Sequence, residues 1–206
     1  MANSTVTLTT IDGVELMADF RSAATDVRGS VALAHPHPLY GGDRFNPVVE
    51  ALFEHLPDLG FHCLRFDFRG VGASGGEHDH GDSERLDVAA AVDFLTMVAD
   101  DHAWVAGYSF GSMVGLHVVE PRVNGWIAIA PPLAMAKGRI LAAEDSRPKL
   151  VLTPAHDQFT DPAVARESVS GWTNATLEVV ESTDHFLNGR TRAVAERVGT
   201  WLVERA

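Results

Sequence analysis

The first twenty residues alternate in polarity and the rest of the chain does not. "TVTLTT" and "VELMADF" each switch between polar and apolar positions, and Asp12-Gly13 stands between them. Alternating segments around an Asp-Gly turn predict a β-hairpin. Beyond it, short continuous apolar runs recur at 30–34, 61–66, 103–106, 125–130, 149–153 and 175–180. Runs of that length predict strands buried on both faces. Between them lie segments of helical period. In "SERLDVAAAVDFLTMV" the residues Leu86, Ala90, Phe94 and Met97 or Val98 form one apolar face, with Asp82 or Ser83 as its N-cap. Further helices are expected from Val48 to Leu56, directly after Ser109, and over the closing "TRAVAERVGTWLVER". Strands alternating with helices imply βαβ units and a mostly parallel, doubly wound sheet. No repeat, low-complexity tract or linker divides the chain, so residues 1–206 are read as one α/β domain.

One strand-to-helix junction carries chemistry. Gly107-Tyr108-Ser109-Phe110-Gly111 has the form G-x-S-x-G, and it falls between an apolar strand and a helix. A sharp turn there lifts the serine hydroxyl out at the sheet edge. Any side chain two positions to either side would run into neighbouring backbone, which calls for glycine. At a helix N-terminus, backbone N–H groups favour the negative charge that an attacked carbonyl develops.

A nucleophilic serine needs a base, and the base needs an orienting acid. Two later strands each end in a loop with one such residue. "KLVLTPAHDQFTDP" holds Asp157, and "ATLEVVESTDHFL" holds His185. Sites in parallel sheets assemble just past the carboxyl ends of strands. Ser109, Asp157 and His185 are therefore the candidate nucleophile, acid and base, with Asp161 or Asp184 as substitutes for the acid.

With these motifs in place, the sequence resembles the α/β-hydrolase superfamily from the first hairpin to the final helix. Within it, "AHPHPLYGGDRFNPVV" and "LRFDFRGVGASGG" resemble short bacterial hydrolases with an HPHPxxGG loop and an RFxFRGVGxSxG segment. One departure is Ser83, which stands where such proteins tend to have glycine in D-x-G-x-G-E-x-x-D. The resemblance implies an α/β-hydrolase fold and an oxyanion hole with two backbone donors. One is the N–H of Phe110; the other comes from the loop after strand 30–34. Leu39 is the expected loop donor and His37 the second choice, since Pro36 and Pro38 have no N–H. Tyr40 and Phe186 flank the expected site, where they line a substrate pocket or pack into the core.

Composition narrows the partners. The chain is 46% hydrophobic and 21% charged, with a net charge of −12. That charge opposes binding to nucleic acid and to anionic membranes. No apolar stretch reaches the roughly 20 residues that span a bilayer. "MANSTVTLTT" lacks the basic and apolar regions of a secretory leader, so the expected location is the cytoplasm. The single cysteine, Cys63, lies in an apolar run and reads as a small buried hydrophobe. "HDHGDS" and the His35/His37 pair do not make the three or four converging ligands of a zinc site, so no metal is expected. "RGVG" lacks dinucleotide-binding spacing, and no cofactor is expected. Trp104, Trp126 and Trp201 lie on core elements.

These readings converge on acyl transfer to water from a small-molecule, ester-like substrate. Only 18 residues, 131–148, join strands 125–130 and 149–153. Many relatives insert a lid domain there, whereas this length holds a helix at most. A shallow, open site is expected, suited to small or short-chain esters. The same residues also serve thioesterases, peptidase-like acyl hydrolases and slow ligand-binding relatives.

Overall fold

In the computed structural model, residues 3–99 and 102–206 are described. Their eight strands form one sheet in the order β1-β2-β4-β3-β5-β6-β7-β8. The hairpin of β1 (Ser4–Thr9) and β2 (Glu15–Arg21) is antiparallel, as the alternation predicts, and β2 pairs antiparallel with β4 (Phe61–Phe66). All later pairings are parallel. They run through β3 (Gly29–Ala34), β5 (Ala103–Tyr108), β6 (Val123–Ile129), β7 (Lys149–His156) and β8 (Ala175–Asp184).

Helices cover both faces, and that explains the unbroken apolar runs. On β3, Val31 and Leu33 join a core layer with α1 (Pro47–His55) and α5 (Thr191–Val203). The alternate residues, Ala32 and Ala34, join a second layer with α2 (Glu84–Ala99), α3 (Phe110–Gly115) and α4 (Pro162–Val169). Successive strand side chains point to opposite faces, so every β3 position has to be apolar or small. Trp126 and Trp201 are buried in these layers, and Cys63 is buried, with its thiol pushed well above the ordinary range by desolvation.

The sheet also decides where a site can form. From β3 the chain moves one way to β4, then crosses back to β5 and continues the other way. The carboxyl ends of β3 and β5, where that direction reverses, leave a crevice between their outgoing loops.

The apolar face of α2 differs from the one expected. Val88, Ala91, Val92 and Leu95 join the core; of the expected residues Ala90 is buried and Phe94 packs against that core, while Leu86 is only half-buried and Met97 is 75% exposed. Two carboxylates cause the rotation. Asp87 and Glu84 are fully buried because each is claimed by donors inside the protein. Asp87 accepts the Arg69 backbone N–H at 2.9 Å and two guanidinium bonds at 2.9 and 2.7 Å. Hydrophobic periodicity assigns acidic residues to solvent and so turns the helix the wrong way. Between β6 and β7, the 18 residues hold two short 3-10 turns, Leu133–Met135 and Leu141–Glu144, in place of a helix.

Breaking a buried pair leaves an uncompensated charge, which costs about 3–5 kcal/mol. Asp87→Ala is therefore expected to lower the urea midpoint by that equivalent, while Met97→Glu stays within about 0.5 kcal/mol of wild type. The reverse order in urea unfolding would reinstate the face expected from sequence.

Candidate active site

Ser109 sits on the turn between β5 and α3 with φ 52° and ψ −116°, a conformation that L-residues rarely adopt. Close backbone packing imposes it. A Cβ on Gly107 would lie 2.3 Å from the Gly111 carbonyl oxygen, and one on Gly111 would lie 2.5 Å from the carbonyl oxygens of Ala34 and His35. Both glycines are thus required, as the spacing predicts. The Ser109 N–H donates to the Ile129 carbonyl at 2.8 Å, which fastens the strained residue to β6.

Strands β7 and β8 run further than their apolar cores suggested, and each delivers a polar residue at its tip. Asp157 follows β7 and His185 follows β8. His185 Nε2 lies 2.9 Å from Ser109 Oγ, and His185 Nδ1 lies 2.9 Å from Asp157 Oδ2. The other carboxylate oxygen accepts the N–H groups of Phe159 at 2.7 Å and Thr160 at 3.1 Å, which fixes the Asp157 side chain. Asp161 caps α4 through the Ala163 N–H, and Asp184 accepts the Phe186 N–H, so both substitutes are engaged elsewhere. The Tyr108 hydroxyl donates to the His185 carbonyl at 2.9 Å. Burial pushes the Tyr108 pKa up to about 12, so it remains a donor. Nothing in the sequence marks Tyr108 for this, because it occupies a variable position of G-x-S-x-G.

The loop after β3 engages the expected donor. The Leu39 N–H already donates to the His37 ring at 3.3 Å, and Leu39 does not line the cavity beside Ser109. The His37 N–H has no acceptor among the described residues, and His37 does line that cavity. The Phe110 N–H, first in α3, has no acceptor within its helix either.

His35 holds this loop in place. The Phe68 N–H donates to His35 Nε2 at 3.0 Å, so the ring proton sits on Nδ1, which donates to the Pro36 carbonyl at 2.6 Å. Across a planar trans peptide, C=O and N–H point in opposite directions. Fastening the Pro36 oxygen to His35 therefore turns the His37 N–H away from that ring. Complete burial pushes the His35 pKa from 6.5 down to about 4 and keeps the ring neutral. The downstream part of the loop is held by Arg44, whose N–H donates to Asp67 at 2.8 Å and whose side chain pairs with Asp67 and Asp19.

The cavity has a volume of about 440 Å³. His37, Tyr40, Tyr108, Met135, Phe159 and Phe186 surround the Ser109 hydroxyl within it. Tyr40 and Phe186 are 87% and 55% exposed, so they form the rim and are not core residues.

A family profile described as α/β hydrolase fold matches residues 40–141. A solved α/β serine hydrolase homologue from Coxiella burnetii is 27% identical with a TM-score of 0.88, covering 98% of both chains. An α/β serine hydrolase without a lid from Xanthomonas campestris is 28% identical, with a TM-score of 0.85 over 100% of this chain and 95% of that one. An uncharacterised protein of Rickettsia prowazekii is 29% identical over 193 residues, 87% of this chain and 81% of the relative.

The chain has the α/β-hydrolase fold. It has no lid domain, and the two 3-10 turns stand where one would be inserted. Among the described residues no helix is long and apolar enough to cross a membrane.

The depressed His35 pKa sets a sign for pH dependence. Between about 4 and 6.5 the unfolded chain binds a proton that the folded chain refuses, so stability is full above 6.5 and falls as pH drops toward 4. The loss attributable to this ring is on the order of 3 kcal/mol. Melting temperature measured from pH 7 to pH 4 should fall less steeply in His35→Gln than in wild type. Parallel curves would remove His35 from the account.

Proposed function

We propose that this protein cleaves small or short-chain carboxylic esters through an acyl-enzyme on Ser109. Ser109 Oγ attacks the carbonyl carbon while His185 Nε2 takes its proton. The collapsing intermediate expels the alcohol, which leaves with the proton that His185 returns. Water then repeats the sequence on the acyl-enzyme and regenerates the serine. Asp157 keeps the imidazole in the Nδ1–H tautomer and offsets the positive charge it gains. The N–H groups of Phe110 and His37 receive the oxyanion, His37 taking the place first given to Leu39. Each such donor contributes on the order of 10²–10³ in kcat where this has been measured.

The observation that carries the reading is the unbroken relay Asp157–His185–Ser109, at 2.9 Å for each contact, opening into an apolar cavity. Its volume lies within the range of small-molecule sites, roughly 300–1,000 Å³. The apolar, uncharged lining supports a neutral substrate, and the absence of a lid supports a short acyl chain over a long one.

Wild type is expected to be labelled covalently by a fluorophosphonate, and Ser109→Ala is expected to resist. Equal labelling of both proteins ends the assignment. Asp157→Asn should lower kcat toward nitrophenyl acetate by roughly 10³–10⁴ with the fold retained. Across nitrophenyl esters, activity should peak at short acyl chains; a steep rise beyond about ten carbons would overturn the substrate class.

A further inference from the structure

A second buried carboxylate–imidazole pair lies on the other flank of Phe110, and the mechanism above makes no use of it. Glu84 opens α2, and its side chain is fully buried. Its two oxygens accept the N–H groups of Asp79 at 2.9 Å and Gly81 at 2.8 Å. His78 Nδ1 lies 2.6 Å from Glu84 Oε1. Only 8% of the His78 side chain is exposed, and both ring nitrogens are buried without a hydrogen-bond partner, so the Nδ1 contact with Glu84 is a close charge-to-ring approach and not an aligned hydrogen bond. Both pairs set an imidazole nitrogen against a carboxylate oxygen, at 2.6 and 2.9 Å, but only His185 and Asp157 share an aligned hydrogen bond.

The His78 ring is nearly buried and does not line the cavity. It packs instead on the two residues whose N–H groups are assigned to the oxyanion. Ring centroids are 5.0 Å apart for His78 and His37, 5.5 Å for His78 and Phe110, and 4.8 Å for His37 and Phe110. The three rings form a closed triangle. One corner belongs to the loop after β3, one to the first residue of α3, and the third is tied to Glu84. The two donors arrive on separate segments of chain, and these rings bridge them, beside a second bridge from His35 through Phe68 to Phe110.

We propose that Glu84 and His78 are positioning residues for the oxyanion hole: Glu84 fixes the His78 ring, and that ring holds His37 and Phe110 at a set separation. This rests on the serine-hydrolase reading given above. A tethered imidazole suits the task better than a phenyl ring of the same size. The carboxylate's attraction holds the ring in place, and misplacement of about 1 Å near reacting atoms costs up to about 10²-fold in rate. Neither residue touches substrate, so the contribution falls on transition-state stabilisation and spares ground-state binding.

The test uses His78→Phe, which keeps a ring and loses the tether, His78→Ala, which loses both, and Glu84→Gln. Each is assayed for kcat and KM on a short nitrophenyl ester and for inhibition by an alkyl boronic acid, whose adduct with a serine hydroxyl is tetrahedral. Expected results are a kcat roughly 10–100-fold lower in His78→Ala, KM within about twofold, and a boronate inhibition constant weakened by the same factor as kcat. His78→Phe should show an intermediate loss, and combining it with Glu84→Gln should add little. Unchanged kcat in folded His78→Ala, or a KM that rises in step with a fall in kcat/KM, overturns the proposal. Should His78→Ala or Glu84→Gln fail to fold, His78→Phe decides alone: wild-type kcat with a lowered melting temperature is a purely structural role. Wild type that neither turns over nor labels at Ser109 would instead refute the underlying function and remove the positioning role with it.

Discussion

Two stretches of backbone approach so closely beside Ser109 that no side chain fits between them. Gly111 passes the carbonyl oxygens of Ala34 and His35, and Gly107 passes Gly111, at distances where a Cβ would overlap. That contact presses the start of α3 against the end of β3. It forces Ser109 into its strained turn, and it sets the Phe110 N–H beside the loop that carries the His37 N–H. Everything chemical in the crevice depends on those two segments being in contact, and the sheet order brings them together because β3 and β5 are neighbours with diverging continuations.

Around this contact the protein uses buried polar groups to fix backbone directions. His35 orients one peptide plane, Tyr108 holds the carbonyl of His185, Asp157 is secured by two N–H groups, and Glu84 and Asp87 secure the segments before α2. A buried polar atom is costly unless satisfied, so each of these groups has few low-energy arrangements. The apolar layers supply stability without choosing among loop conformations. The polar ties make that choice.

This division explains what could be read from the sequence. Strands β3 to β7 were legible because residues buried on both faces leave continuous apolar runs; β8, at the sheet edge, is half-exposed and not buried on both faces as its run suggested. Ser109 was legible because its glycines answer a steric demand. Asp157 and His185 were legible because polar residues just past an apolar run lie at the carboxyl edge. Ala90 and Phe94 of α2 join the core as their spacing predicts, but the rest of the buried face is hidden in the sequence because a buried carboxylate looks like a solvent-facing one until Arg69 is found against it. The hydrogen bond that occupies the Leu39 N–H is illegible for a related reason: nothing linear shows that the His37 side chain accepts it. His35 and Tyr108 passed unnoticed because their partners are main-chain atoms, which every residue type provides.

The missing lid bears on kinetics. With only two short turns between β6 and β7, nothing has to swing aside before a ligand enters or a product departs, so no gating motion separates binding from reaction. An acyl group on Ser109 would face bulk solvent throughout its lifetime. Water at tens of molar would then outcompete any dilute alcohol or amine for it, which steers such a crevice toward hydrolysis and away from group transfer.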